Sequence, residues 1–244
     1  MTKLPAGALK RHSHRDERRA LMLRHIEQSD IWADDAQRAQ AVFIGNSVIR
    51  RADDDFLNRH PADTLAAHVA QALASVRHMP SGVVRVGCSI PVKESHGYEL
   101  PMAVLETCMT DQPFVVDTIK LVLRRLGVRI LGTLNMILPV LRDEEGTLLD
   151  LGQDIEGGRN ESFTCHLLSL PSTQPRCDEI RHLVKEHLER AQRVVRDFRP
   201  MRKLARDVSA TLTYAVEAMP KKAHELAEVA SFCDWIIEDH FVFM

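Results

Sequence analysis

The fold is decided by residues 103–132, which read AVLETCMTDQPFVVDTIKLVLRRLGVRILG. The segment Met102–Met109 turns alternate side chains to opposite faces, as a β-strand does. The residues after it predict an amphipathic helix, because apolar side chains recur there at helical spacing and form one stripe: Val115, Ile119, Val122 and Leu126. A β-branched run follows Gly127. The stretch therefore predicts a strand, a helix and a second strand.

The turn before this helix carries the usual signals of a helix start. Thr110 or Asp111 can cap the helix with a side-chain oxygen. Pro113 suits the first helical position, because an N–H group there needs no intrahelical partner. Gly127 stands where a left-handed residue ends a helix. We therefore expect a capped helix that begins at Pro113 and ends at Gly127.

The sequence upstream of the stretch predicts helices and then one strand. A second helical stretch opens at Asp34 and Asp35, and a third begins behind Pro61. Residues 83–90, VVRVGCSI, are rich in β-branched side chains and predict a strand. In a ferredoxin-like unit the last strand follows the second helix, but in this sequence the second helix is followed by more helix. We therefore expect residues 83–90 to occupy the place of that last strand in the sheet.

The sequence downstream predicts three more strands and a long helix. Residues 128–141 form a strand interrupted near Gly132, and a turn at 143–146 joins it to residues 147–151 as a hairpin. Residues 162–170 predict a strand, and residues 175–198 predict a helix with one apolar face. Pro200 and Pro220 are expected to interrupt the helical stretches that follow, since proline lacks an N–H group.

These elements predict an α+β fold: an antiparallel, ferredoxin-like sheet with helices packed on one face, flanked by helical segments at both ends. We expect an N-terminal helical segment at 1–80, the α+β domain at 81–199 and a helical linker at 200–244. The run HFVFM at 240–244 resembles the start of a strand. It suggests a longer polypeptide that is cut at this point.

Composition narrows the class of protein. The chain has 244 residues, 45% of them hydrophobic, and a formal net charge of -2, which argues against a nucleic-acid partner. It has no apolar stretch of membrane-spanning length and no signal peptide, so no membrane partner is expected. Five cysteines without a CxxC pair argue against a disulfide framework and predict a reducing, cytoplasmic setting. They are Cys88, Cys108, Cys165, Cys177 and Cys233.

The chain contains none of the common catalytic motifs. GxGxxG, GxxxxGK[ST], GxSxG and HExxH are all absent, which predicts no cofactor, no metal and no catalytic residue here. His182 and His187 are five residues apart and lie on different helix faces, while His12 and His14 suggest at most an adventitious metal site. The acidic clusters at 53–55 and 143–145 are interpreted as helix caps or turns rather than cation ligands.

Residues 103–132 resemble the opening strand–helix–strand of an ACT domain, the small regulatory module of amino-acid metabolism. The matching features are the apolar strand, the turn Asp111-Gln112-Pro113, the amphipathic helix and Gly127. Free N–H groups at a helix N-terminus attract carboxylates. The resemblance thus implies an amino-acid effector at Thr110, Asp111 and Gln112. Phe114 departs from the glycine that effector-binding ACT domains commonly have there.

Residues 50–244 also resemble the amino-terminal region of the large bacterial NAD-specific glutamate dehydrogenases. The matching blocks are DQPFVVDT at 111–118, Pro139 with the turn at 143–146, ESF at 161–163 and WIIEDHFVFM at 235–244. This resemblance implies that the full-length protein oxidises L-glutamate with NAD to 2-oxoglutarate and ammonia. It further implies that the catalytic residues lie downstream and that this region is regulatory, with the rest of the polypeptide and a homo-oligomer as its partners.

Two alternative functions stay open at this point. One is a stand-alone ACT-type module that senses an amino acid and controls another enzyme. The other is a helical interaction scaffold, whose apolar stripe from Ile180 to Phe198 packs against a partner subunit.

Overall fold

A computed structural model describes residues 6–153, 155–169 and 173–240. Its α-helices are α1 (Ala6–Glu27), α2 (Asp35–Arg51), α3 (Asp54–Arg59), α4 (Ala62–Val76), α5 (Lys93–His96), α6 (Val115–Arg125), α7 (Gln174–Ala218) and α8 (Ala223–Trp235). Its strands are β1 (Arg85–Ser89), β2 (Ala103–Thr110), β3 (Ile130–Arg142), β4 (Leu148–Leu151) and β5 (Arg159–Leu168). A 3₁₀ turn at Pro220–Lys222 precedes α8, and a π-helical turn at Ile236–His240 follows it.

The five strands form one antiparallel sheet in the order β1-β2-β5-β3-β4. The hairpin of β3 and β4 and the α+β class are as the sequence predicts. Strand β1 lies at the edge beside β2. In a ferredoxin-like unit that edge belongs to the last strand, so β1 replaces it as expected.

The ferredoxin-like helices α6 and α7 pack on one face of the sheet. The apolar stripe of α6 meets β2 and the first turns of α7 there, in a core that includes Leu105, Ile119 and Val184. The helices of the N-terminal segment pack on the opposite face, where Ile44, Leu65 and their neighbours meet a second row of strand side chains. Since adjacent residues of a strand face opposite sides, each central strand serves both cores.

A buried ion pair connects the sheet to the end of α4 and to the β3–β4 turn, in the core that the N-terminal helices cover. Arg142 donates to Glu161 twice, from Nε to Oε1 at 2.8 Å and from Nη2 to Oε2 at 2.6 Å. Its side chain is 3% exposed and that of Glu161 1%. Arg142 also donates to the carbonyl oxygens of Val76, at the end of α4, and Gly146, in the β3–β4 turn. Arg159 gives Glu161 a second cationic partner at 3.0 Å.

The bulge at the start of β3 receives helix α3. The register of β3 shifts between Ile130 and Gly132, which is the interruption that the sequence predicts. A side chain at Gly132 would come within 2.8 Å of the Phe56 backbone, so only glycine allows this approach. Asp53 caps α3 by accepting from the Phe56 N–H, and its other carboxylate oxygen accepts from the Thr133 N–H. The interpretation of Asp53 as a helix cap is confirmed.

The chain divides into two compact units, Met1–Leu188 and Glu189–Met244. Within the second unit, Ser209 donates to Asp234 at 2.7 Å and Arg202 donates to the Ile237 carbonyl oxygen at 2.6 Å. The predicted break at Pro200 is wrong, because helix α7 continues through it. A proline costs a helix one hydrogen bond, and 45 residues of helix supply the rest. The domain limits at 80 and 199 stay predictions, and the strand expected at 240–244 lies almost entirely outside the described residues.

All five cysteines lie among the described residues and are free thiols. Four of them are buried, and Cys233 is half-buried. Among the described helices, none combines the length and the apolar character that a membrane crossing requires.

His166 is a buried histidine on the α6 side of the sheet. Among the described residues its Nε2 atom has no hydrogen-bond partner, and its Nδ1 atom lies 3.4 Å from the Thr133 hydroxyl. Burial, together with the positive charge of Lys120, lowers the pKa of His166 to about 4. The folded protein therefore keeps this ring neutral at pH values where the unfolded chain protonates it.

We expect Arg142→Met to lower the free energy of unfolding by about 3–5 kcal/mol, because it leaves the Glu161 charge buried beside a partly exposed Arg159. Urea denaturation measures the change. Arg181→Met is the matched control, since its ion pair with Asp178 is about half exposed and contributes less than about 1 kcal/mol. Equal effects of the two substitutions would contradict the role given to the buried pair.

A second prediction concerns pH. As the pH falls from about 6.5 to about 4, His166 becomes protonated in the unfolded chain but stays largely neutral in the folded chain. The free energy of unfolding of the wild type therefore falls. His166→Gln should reduce this loss by on the order of 3 kcal/mol, measured by urea denaturation at both pH values. The exposed His182→Gln variant should keep the wild-type pH dependence. An unchanged pH dependence in His166→Gln would contradict the prediction.

Candidate functional site

The three residues that the sequence assigns to effector binding form the turn between β2 and α6. Thr110 is the last residue of β2 and pairs with Glu161 of β5. The Asp111 N–H donates to the Asn160 carbonyl oxygen at 2.9 Å, which extends the sheet by one more bond. Gln112 is half-buried, and its Nε2 atom is shielded from solvent without a hydrogen-bond partner in the described part of the chain.

The structure corrects the expected start of α6. The helix begins at Val115 rather than at Pro113, and the residue before it is Phe114. No side chain in the described part of the chain caps the helix, so the assignment of Thr110 or Asp111 as the cap is wrong. The physical reason is that hydrogen bonds to β5 hold both residues in the sheet, short of the first helical turn.

Phe114 adopts the left-handed conformation that normally belongs to glycine. Its φ is 72°, and it is the one non-glycine residue of the described chain with a positive φ. The ring is 59% exposed, so burial compensates little of the backbone strain, which is about 1–3 kcal/mol for such residues. The backbone at Phe114 therefore has the shape of a glycine turn.

An uncapped helix N-terminus next to a polar turn has a defined chemistry. The first-turn N–H groups of α6 carry partial positive charge and suit a carboxylate. The Gln112 amide offers two more donors, and the Asp111 carboxylate suits an ammonium group. The turn therefore has the donor and acceptor types that an α-amino acid requires.

A second group of polar side chains lies in the core beneath the N-terminal helices. We call His60, His68, Tyr98, Glu106 and Cys165 the core polar cluster. His68 Nδ1 lies 3.2 Å from the Tyr98 hydroxyl and 4.0 Å from Glu106 Oε1. Glu106 stands between Val104 and Cys108 on the face of β2 that α4 covers. The cluster thus links α4 to the two central strands.

Burial shifts the pKa values of the whole cluster toward neutral side chains. It raises the pKa of Glu106 to about 7 and lowers that of His68 to about 3, with His60 adding to the second shift. Burial also lowers the pKa of His60 and raises that of Cys165, whose thiol lies near Glu106. The pKa of Tyr98 is raised for the same reason. Even as an uncharged set, the cluster leaves three polar atoms without hydrogen bonds to any residue that the structure describes, namely His60 Nε2, His68 Nε2 and Glu106 Oε1.

Sequence reasoning missed this cluster. Its one available signal is Glu106, a charged residue in the middle of the strand AVLETCMT. The alternation of that strand already placed Glu106 with Val104 and Cys108 on one face. Only the three-dimensional structure shows that α4 brings His68 onto it.

The sheet order, the two helices on one face and the turn at Thr110–Gln112 define an ACT-like module. A family model described as the glutamate dehydrogenase ACT1 domain matches residues 43–184. This match covers more than half of the chain, which therefore belongs to the glutamate dehydrogenase ACT1-domain family.

Two curated relatives agree with this assignment. One is an NAD-specific glutamate dehydrogenase from Pseudomonas aeruginosa, 31% identical over 157 residues. The other is an NAD-specific glutamate dehydrogenase from Halomonas elongata, 28% identical over 157 residues. Each alignment covers 63% of this chain and 10% of the relative, so the chain matches a small part of a much longer protein.

We expect Phe114→Gly to be more stable than Phe114→Ala by about 1 kcal/mol, because both variants lose the ring and only glycine relieves the left-handed backbone. Thermal and urea denaturation of the two variants measure the difference. At the exposed Leu121, in the middle of helix α6, the order should be reversed. Equal stability of the two variants would show that the left-handed backbone at residue 114 is not strained.

Proposed function

We propose that this chain is the amino-terminal regulatory and assembly region of a large NAD-dependent glutamate dehydrogenase. The complete polypeptide would convert L-glutamate, NAD and water to 2-oxoglutarate, ammonia and NADH. The family match and the names of the two relatives support the enzyme class. In this proposal the chain itself is not catalytic, NAD is bound elsewhere in the polypeptide, and the enzyme is cytoplasmic.

One observation supports regulation in particular: the uncapped N-terminus of α6 beside the unpaired amide of Gln112. In this proposal the first-turn N–H groups and the Gln112 amide bind the α-carboxylate of an amino acid, and Asp111 binds its ammonium group. Thr110 ends the strand and sets the position of both side chains. Because β2 is an interior strand of the sheet, with side chains in both cores, a ligand here would act on an element that both cores share.

Assembly is supported by exposed apolar side chains in the second unit. The rings of Phe232 and Trp235 stack with their centroids 6.0 Å apart, and they are 57% and 45% exposed. Tyr214 and Leu204 are still more exposed. Solvent-exposed aromatic side chains are typical of surfaces that pack against another protein. The remainder of the same polypeptide and further copies of it are the partners in this proposal.

Thermal denaturation of the chain with a panel of amino acids tests the effector site. We expect one amino acid to raise the melting temperature by several degrees, since ligands that bind only the folded state stabilise it. Asp111→Ala and Gln112→Ala should each abolish the shift, while Glu144→Ala, in the exposed β3–β4 turn, should keep it. The same preparation should form no NADH from glutamate and NAD.

Two results would contradict the proposal. A panel without any thermal shift, or a shift that survives both turn substitutions, would remove the effector site from Thr110–Gln112. Formation of NADH by the isolated chain would show that it is catalytic.

A further inference from the structure

We propose that His68, Glu106 and Cys165 of the core polar cluster bind one Zn²⁺ ion between α4 and the sheet. This inference is independent of the proposed effector site and departs from the sequence-based expectation that the chain binds no metal. It rests on the distances between the three side chains, on their burial and on the types of donor atom that they offer.

The three side chains converge from three elements. One ring nitrogen of His68, one carboxylate oxygen of Glu106 and the Cys165 sulfur all lie within 4.8 Å of one another. In a tetrahedral zinc site with metal–ligand distances of about 2.0–2.3 Å, the ligand atoms are about 3.3–3.8 Å apart. Small side-chain rotations suffice to close that difference. Since α4, β2 and β5 are fixed by the surrounding core, the ligands are held near the required positions.

Two of the three side chains have a buried polar atom without a hydrogen-bond partner in the described structure. His68 and Cys165 are 0% exposed, and the Glu106 side chain is 15% exposed. His68 Nε2 and Glu106 Oε1 have no hydrogen-bond partner in the described structure. A buried polar atom without a partner destabilises the fold, so such atoms require an explanation. A metal ion beside them supplies one.

The donor set selects the kind of metal. One nitrogen, one oxygen and one sulfur suit a borderline cation such as Zn²⁺, whereas Mg²⁺ and Ca²⁺ prefer oxygen ligands alone. A carboxylate and a thiolate together carry two negative charges, which balance the ion in an apolar core. Cys165 would lose its proton when the metal binds. Tyr98, whose hydroxyl lies 3.2 Å from His68 Nδ1, would orient the imidazole ring.

A bound ion would attach the N-terminal helices to the sheet. Its ligands come from α4 on one side and from β2 and β5 on the other. Three protein ligands leave one tetrahedral position for a water molecule. Because its ligands join α4 to two strands, the ion would stabilise the packing of α4 on the sheet.

The test uses the full 244-residue chain, expressed without a histidine tag. Elemental analysis after dialysis should find about one zinc ion per chain. Removing the metal with a chelator should lower the melting temperature by several degrees, and added ZnCl₂ should restore it. Replacing zinc with Co²⁺ should produce a near-ultraviolet thiolate-to-cobalt absorption band, which reports sulfur ligation directly.

Variants assign the ligands. Cys165→Ser should abolish the cobalt band, and Glu106→Gln should weaken zinc binding at least about tenfold. Two controls should keep both signals: Cys88→Ser, a buried thiol in the opposite core, and the double variant His12→Ala/His14→Ala. A folded wild-type chain that holds no zinc and gives no cobalt band would overturn the proposal. Zinc binding that is lost in the His12/His14 variant would overturn it too, because the ion would then be adventitious.

Discussion

The structure depends on the buried carboxylate of Glu161, which is paired with the guanidinium group of Arg142. Glu161 is 1% exposed, and its two oxygens accept from Arg142 in a bidentate pair. Removing either partner would leave a charge in a medium that solvates it poorly. Through Arg142 the pair reaches the last turn of α4 and the β3–β4 turn, and Glu161 itself lies opposite Thr110 in the sheet. The N-terminal helices, the hairpin and the proposed effector turn thus share one electrostatic constraint.

The central strands connect this constraint to the two proposed sites. On β2 and β5, one set of alternate residues faces α6 and α7, and includes Thr107, Thr164 and His166, while the other set faces α4 and includes Glu106 and Cys165. Strand β2, which carries Glu106 of the core polar cluster in its middle, therefore ends at the proposed effector turn. A ligand at either place acts on a strand that both cores hold in position.

The sequence predicts the local parts of this fold well. The apolar stripe of α6, the glycine at its end and the bulge near Gly132 follow from spacing and residue type, whereas the place of residues 83–90 in the sheet is expected only from the resemblance to a ferredoxin-like unit. The predictions that are wrong concern features set by residues far away in the sequence or by the length of the whole helix. The start of α6 is set by hydrogen bonds from β5, and helix α7 continues through Pro200 although the residue type favours a break.

The candidate site divides in the same way. Thr110, Asp111 and Gln112 could be proposed from the sequence because they are consecutive and resemble a family motif, and their role stays a prediction. His68, Glu106 and Cys165 could not, because 38 and 59 residues separate them along the chain. A strand with one acid among apolar residues shows that something must neutralise the acid, and only the packing of α4 shows which side chains are nearby.

The central claim is that one sheet holds both cores together, so that α4 and β5 unfold as a single cooperative unit. Native-state hydrogen exchange measures this most directly, because it gives the opening free energy of each element. We predict that the amides of α4 and β5 open with the same free energy, to within about 1 kcal/mol. An α4 that opens at several kcal/mol below β5, with the sheet still protected, would contradict the claim.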